Sequence, residues 1–130
     1  MFSRRAALAL ALAFTASSPL LAAEPFAQPF EQAAFDAAMQ QGQPVLVEIS
    51  APWCPVCRAQ KGILSELLAQ DRFAGMLVLE VDFDSRRDIV RTLGAQSQST
   101  LIVYAGGGEV GRSVGDTRRD GIEALLASAL

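Results

Sequence analysis

There is no histidine anywhere in this chain, and it contains only two cysteines and one tryptophan. Without histidine, nucleophilic catalysis by a cysteine-histidine pair lacks its base. A structural zinc site takes four sulfur or nitrogen ligands, so two cysteines on one chain cannot close it. Basic residues are also in deficit, with 11 Lys and Arg against 14 Asp and Glu and a formal charge of −3. A nucleic-acid partner calls for a basic stripe or patch, and none is expected here. Internal repeats are absent. What is present, 130 residues with 51% hydrophobic and 19% charged, is the composition of one ordinary globular domain.

The first 23 residues differ in character from the rest. Arg4 and Arg5 form a positive start, Ala6 to Phe14 is an unbroken apolar run, and the small residues Ala22 and Ala23 close the segment. This pattern reads as a secretory signal over residues 1–23, leaving a domain over 24–130. Leu21 is an imperfect fit to the usual cleavage site. An uncleaved membrane anchor is the rival, but Thr15, Ser17, Ser18 and Pro19 interrupt the stretch, which falls short of the ~20 apolar residues that span a bilayer. Ser3-Arg4-Arg5 resembles the start of a twin-arginine signal whose remaining pattern is missing. With the signal cleaved, no stable membrane insertion is expected. Removing its two arginines leaves nine basic against 14 acidic residues, a formal charge of −5.

After a tether at 24–28, periodicity gives the order of elements. Phe30, Ala33, Ala34, Phe35, Ala38 and Met39 recur at helical spacing up to Gly42. Residues 45–50, Val-Leu-Val-Glu-Ile-Ser, are apolar on both faces apart from one acid, as in the central strand of a parallel sheet. A second helix follows Cys57 through Ile63, Leu64, Leu67 and Leu68, then a strand at 76–82 and a short helix at 86–93 stopped by Gly94. Thr100 to Ala105 and Glu109 to Val114 flank Gly106-Gly107-Gly108, the chemistry of an antiparallel hairpin. Asp116-Thr117 is expected to cap a last helix with Ile122, Leu125, Leu126 and Ala129 on its apolar face. Phe30, Phe35, Phe73 and Phe83 are assigned to the core. The fold class is α/β, with a central mixed sheet, a C-terminal antiparallel hairpin and helices on both faces.

The two cysteines lie between the first strand and the second helix. With Cys54 at the N-cap and Pro55 as first helical residue, the Cys54 sulfur faces the unpaired amides of the first turn. Those amides and the helix dipole favour thiolate over thiol. Cys54 is therefore read as a nucleophile that ionises readily and stands open to an incoming disulfide. Cys57, about one turn on, is read as the resolving thiol that attacks the mixed disulfide. A purely structural disulfide is the bland alternative, but a bridge between residues so close in sequence removes little entropy from the unfolded chain.

Val45-Leu46-Val47-Glu48-Ile49-Ser50-Ala51-Pro52-Trp53-Cys54-Pro55-Val56-Cys57 resembles the central strand and active-site loop of the thioredoxin family. Leu79-Glu80-Val81-Asp82 is similar to the next strand of that family, and Gly108-Glu109-Val110 with Val114-Gly115 to its terminal hairpin. The resemblance implies a thioredoxin-like fold, Cys54 and Cys57 as the catalytic pair, and no cofactor beyond their disulfide. It implies cysteine-containing client proteins as partners, contacted through Trp53, Pro55, Val56, Ser99 and Thr100.

Three departures bear on function. Pro55-Val56 between the cysteines lacks the histidine of strongly oxidising relatives and is similar to exported reductases of cytochrome c maturation, which tilts the expectation toward a reducing role recharged by a membrane or periplasmic thiol donor. Ser99-Thr100 stands where the family usually carries a cis-proline followed by threonine, and a non-proline bond there is expected to be trans or unusual. Glu48 falls where thioredoxins place a buried aspartate behind the resolving cysteine. It is either a proton acceptor for Cys57 with a raised pKa or an acid at the sheet margin reaching water or a basic partner. The accompanying lysine is missing, since Val78 occupies its place, and Arg58 and Lys61 are read as solvated surface. Trp53 is either a shield over the thiolate or a core anchor. Two other classes remain beside the periplasmic oxidoreductase: a dimer pooling its thiolates around zinc or an iron-sulfur cluster, and a protein-binding module that keeps the cysteines as a clamp.

Overall fold

The computed structural model describes residues 26–130, so the signal expected at 1–23 lies outside the described residues. Five strands, β1 (Gln28–Pro29), β2 (Val45–Ser50), β3 (Leu77–Asp82), β4 (Thr100–Ala105) and β5 (Gly108–Val114), form one sheet in the order β1-β3-β2-β4-β5. β3 runs parallel to both β1 and β2, whereas β4 is antiparallel to β2 and β5. The helices are α1 (Gln32–Gln40), α2 (Pro55–Leu68), α3 (Arg87–Thr92) and α4 (Arg119–Ala127), with a short 3-10 turn at Asp71–Phe73. No described helix is long and apolar enough to cross a membrane.

The sheet splits the core in two. Val45, Val47 and Ile49 of β2 pack with Phe30, Ala38, Ile89, Val90 and both cysteines on the side of α1 and α3. Leu46 points the other way, to Leu64, Leu67, Leu101, Ile122 and Leu126 on the side of α2 and α4. All six residues of β2 are buried, as its two-sided apolar pattern requires. Phe30, Phe73 and Phe83 are buried, and Phe35 packs against the first cluster with its ring edge on Tyr104.

Gly42 at φ +66 ends α1, with Gln43 N bonded to Ala38 O and Gly42 N to Met39 O. This is the reciprocal pair of a Schellman stop, and Gly94 ends α3 in the same way. Between β4 and β5 the turn is Gly106-Gly107, both at positive φ, while Gly108 already pairs with Ala105.

Two expectations need correction. The segment read as a tether contributes β1, whose two residues pair with Leu79 and Glu80. The N-cap of α4 is Arg118, which makes no side-chain cap; the Asp116 carboxylate, two residues earlier, accepts the Arg118 N–H rather than an amide of the first helical turn.

Candidate active site

α2 begins where β2 ends, and the chain turns at the carboxyl edge of the sheet to bring the two cysteines there. Cys54 is the N-cap with extended backbone, Pro55 opens the helix, and the Cys54 Sγ accepts the Cys57 N–H at 3.1 Å. A sulfur so placed receives one of the first-turn amides that no helical carbonyl can reach, and negative charge on it is stabilised. The two sulfurs are joined as a disulfide.

Cys54 is only 2% exposed and Cys57 1%, which corrects the expectation of an open sulfur. The cover has two identifiable parts. One is the partner sulfur, which moves off to van der Waals separation when the bond is reduced. The other is Ser99, whose Oγ lies 3.2 Å from the Cys54 Sγ and 3.3 Å from the Cys57 Sγ. Around this covered pair the surface is apolar: Pro52, Trp53, Pro55 and Val56 are exposed, Trp53 to 57%. Trp53 is therefore no core anchor. Its indole N–H donates to Asp84 Oδ2 at 2.7 Å, tying the active-site loop to the loop after β3. That second loop is organised by Asp82, whose Oδ1 accepts the backbone N–H of Asp84 and of Ser85 and the Ser85 hydroxyl; these bonds hold its carboxyl below the usual range.

Among the residues read as client contacts, Trp53, Pro55 and Val56 lie on this surface, but Ser99 and Thr100 do not. Thr100 is buried with its hydroxyl donating to Ser97 O at 2.7 Å, so it is turned inward. Ser99 is 5% exposed and adopts φ +62, a left-handed conformation that non-glycine residues rarely take. No cis peptide bond occurs among the described residues.

Glu48 is fully buried, so it is not an acid at a watery margin. Neither carboxylate oxygen has a hydrogen-bond partner. It stands opposite Glu80 in the β2–β3 register. Lys61, the chain's single lysine, reaches across from α2 to place its Nζ 2.5 Å from Glu80 Oε2 and 3.8 Å from Glu48 Oε1. This corrects the reading of Lys61 as solvated surface: the cation missing from β3 at Val78 is supplied from the helix above. Arg58 is exposed as expected. Burial raises the Glu48 pKa to about 7, with Lys61 pulling it down and Glu80 pushing it up. A pocket of about 260 Å³ lined by Cys57, Lys61, Glu80 and Asp82 opens beside this group.

Among the described residues no group of three or more His, Cys, Asp or Glu is placed to hold a metal ion. Pooling of thiolates between two chains is not favoured, because the two sulfurs are bonded to each other as a redox pair rather than held apart as metal ligands. Sequence reasoning missed Lys61 and the contact of Ser99 with the sulfurs. The spacing of Lys61 from Cys57, one helical turn on, was the available signal for the former.

A model of the thioredoxin family matches residues 27–128. A thioredoxin of Alicyclobacillus acidocaldarius subsp. acidocaldarius is 33% identical over 96 residues, covering 74% of this chain and 90% of its own. A thioredoxin of Chlamydia muridarum is 34% identical over 83 residues, covering 64% of this chain and 79% of its own. Among solved structures, the crystal structure of Trxlp from Edwardsiella tarda EIB202 superposes with a TM-score of 0.75 at 39% identity, covering 77% of this chain and 97% of that one.

Proposed function

This chain belongs to the thioredoxin family, and from that premise we propose that it works outside the cytoplasm as a reductant of disulfides in client proteins. It is a thiol-disulfide oxidoreductase whose redox centre is Cys54 and Cys57, and it needs no cofactor beyond that pair. The observation that carries the chemistry is the Cys54 Sγ at the amino end of α2, bonded to the Cys57 N–H.

In the reducing direction the Cys54 thiolate attacks a client disulfide, forming a mixed disulfide and releasing one client thiolate, which takes a proton. Cys57 then loses its proton and attacks the Cys54 sulfur, releasing the second client sulfur as a thiol. The client disulfide gains two electrons and two protons, and the protein is left as the Cys54–Cys57 disulfide. Glu48 is the acceptor we assign to the Cys57 proton. Its burial, its unpartnered oxygens and a pKa of about 7 suit it to exchange a proton near neutrality, and Lys61, which pairs with it, lines one pocket together with Cys57. The client lies on Pro52, Trp53, Pro55 and Val56.

The composition of residues 1–23 supports export to a periplasm-like compartment. The reducing direction is supported by the lack of histidine between the cysteines, since a histidine there would favour the reduced form. A membrane or periplasmic thiol donor returns the two electrons. The test has two arms. A Cys57→Ser protein accumulates mixed disulfides with a disulfide-bearing client if Cys54 is the nucleophile, and accumulates none if the domain only binds. The reduction potential of the couple falls near the ~−270 mV of a cytoplasmic reductant in this reading, whereas a value near −120 mV, typical of a strong oxidant, overturns the direction of electron flow.

A further inference from the structure

Among the described residues Ser99 is the one whose side-chain hydroxyl lies within hydrogen-bond distance of both reacting sulfurs, and nothing in the exchange described above uses it. Its Oγ is 3.2 Å from Cys54 Sγ and 3.3 Å from Cys57 Sγ. The residue is buried, at a non-glycine φ of +62. Three hydrogen bonds hold it there. Its N–H donates to Ile49 O at 2.8 Å, and its carbonyl accepts the Gly115 N–H at 2.9 Å and the amide of the buried Gln60 at 3.1 Å. Gln60 also donates to Asp116 O, so one α2 side chain pins Ser99 and the start of the last loop together. A backbone in a sparsely populated region persists only where its surroundings over-determine it, and such positions cluster at working sites.

We propose that Ser99 is a catalytic residue of this centre, its hydroxyl donating a hydrogen bond to the Cys54 thiolate of the reduced protein. A hydroxyl has one proton to give and lone pairs to receive another. Between two sulfurs it can donate to the anion at Cys54 while accepting from the thiol at Cys57. Sulfur in a disulfide is a weak acceptor and a thiolate a strong one, so the bond is worth more after reduction than before. The hydroxyl therefore adds to the helix amino terminus in holding Cys54 ionised, and it draws the couple toward the reduced form. It makes the protein a milder reductant than the Pro55-Val56 dipeptide alone would give.

The inference rests on the reading of Cys54 as nucleophile, and its test is separate from the trapping test of that reading. In the full chain carrying Cys57→Ser, the absorbance of the thiolate is followed through a pH titration with Ser99 intact, with Ser99→Ala and with Ser99→Gly. Alanine keeps the Cβ cover and removes the hydroxyl, whereas glycine removes both and accepts φ +62 without strain. A hydrogen bond to a charged group predicts that Cys54 binds its proton about tenfold more tightly in both variants. In the dithiol protein the same substitutions shift the reduction potential downward by up to about 30 mV, the equivalent of that tenfold. A shift in the glycine variant alone assigns the effect to lost cover, a shift in alanine alone to backbone strain, and no shift in either leaves the hydroxyl idle; each of these overturns the proposal. Failure of Cys57→Ser to trap a client defeats the nucleophile reading and leaves the titration result standing by itself.

Discussion

Glu48 and Glu80 stand directly opposite each other across the β2–β3 ladder, and the ammonium of Lys61 serves both. Two like charges side by side on one sheet face are unfavourable. The arrangement holds because the half-exposed Glu80 keeps the short contact to Lys61, while the buried Glu48 sits at the longer distance and keeps its proton up to about neutrality.

The first prediction concerns stability. Glu48 has a pKa of about 7 in the fold against an ordinary value of 4.5, so the folded chain holds this proton more tightly than the unfolded one. Its contribution is most favourable below pH 4.5 and is lost as pH rises through 7, by about 3 kcal/mol in total. Urea unfolding of the wild type and Glu48→Gln across pH 4.5 to 8 should show the stability difference moving by about that amount in favour of the variant, then levelling. A difference that stays constant across the window would mean that Glu48 does not titrate there.

The second concerns the neighbours of that carboxyl. Lys61→Met removes the attraction and should raise the Glu48 pKa further, whereas Glu80→Gln removes the repulsion and should lower it. Carbon-13 carboxyl titration reads both shifts directly. Release of the second client thiol in single-turnover experiments should follow, its pH profile moving up in the first variant and down in the second. Glu48→Gln, which deletes the proposed acceptor, should slow that step by roughly a hundredfold. Equal profiles in all three proteins would remove Glu48 from the proton path.

A third prediction separates two adjacent glycines of the β4–β5 turn. Gly107 has φ +83, and a Cβ there would lie 3.3 Å from Met39 O. Gly107→Ala should therefore cost about 1–2 kcal/mol. At Gly108 an added Cβ meets nothing within 4 Å, and Gly108→Ala should stay within about 0.5 kcal/mol of wild type. Thermal unfolding of the two single variants decides it, and equal losses would contradict the turn geometry.

Much of this was legible in the sequence for local reasons. The two-sided apolar run at 45–50, the glycines at 42 and 94 and the glycine triplet at 106–108 each fix their own conformation, so β2, the ends of α1 and α3 and the hairpin lie where periodicity and turn chemistry put them. The cysteine pair at the start of a helix is likewise a local pattern. What escaped depends on partners far along the chain. β1 is two residues long and exists only through its pairing with β3. Lys61 looks solvated on a helical wheel and finds its carboxylates only when α2 lies over β2 and β3. Ser99 reaches the sulfurs across more than forty positions, through a left-handed backbone that nothing in its own residue type demands. The signal expected at residues 1–23 and the direction of electron flow belong to no part of the fold described.

Pro29 occupies one rim of the sheet, in a strand of only two residues. It has no N–H to offer, and a ladder so short gives a foreign strand almost nothing to extend. An extended chain that meets this blunted border finds no row of free backbone groups to pair with, so association edge to edge along that flank is disfavoured.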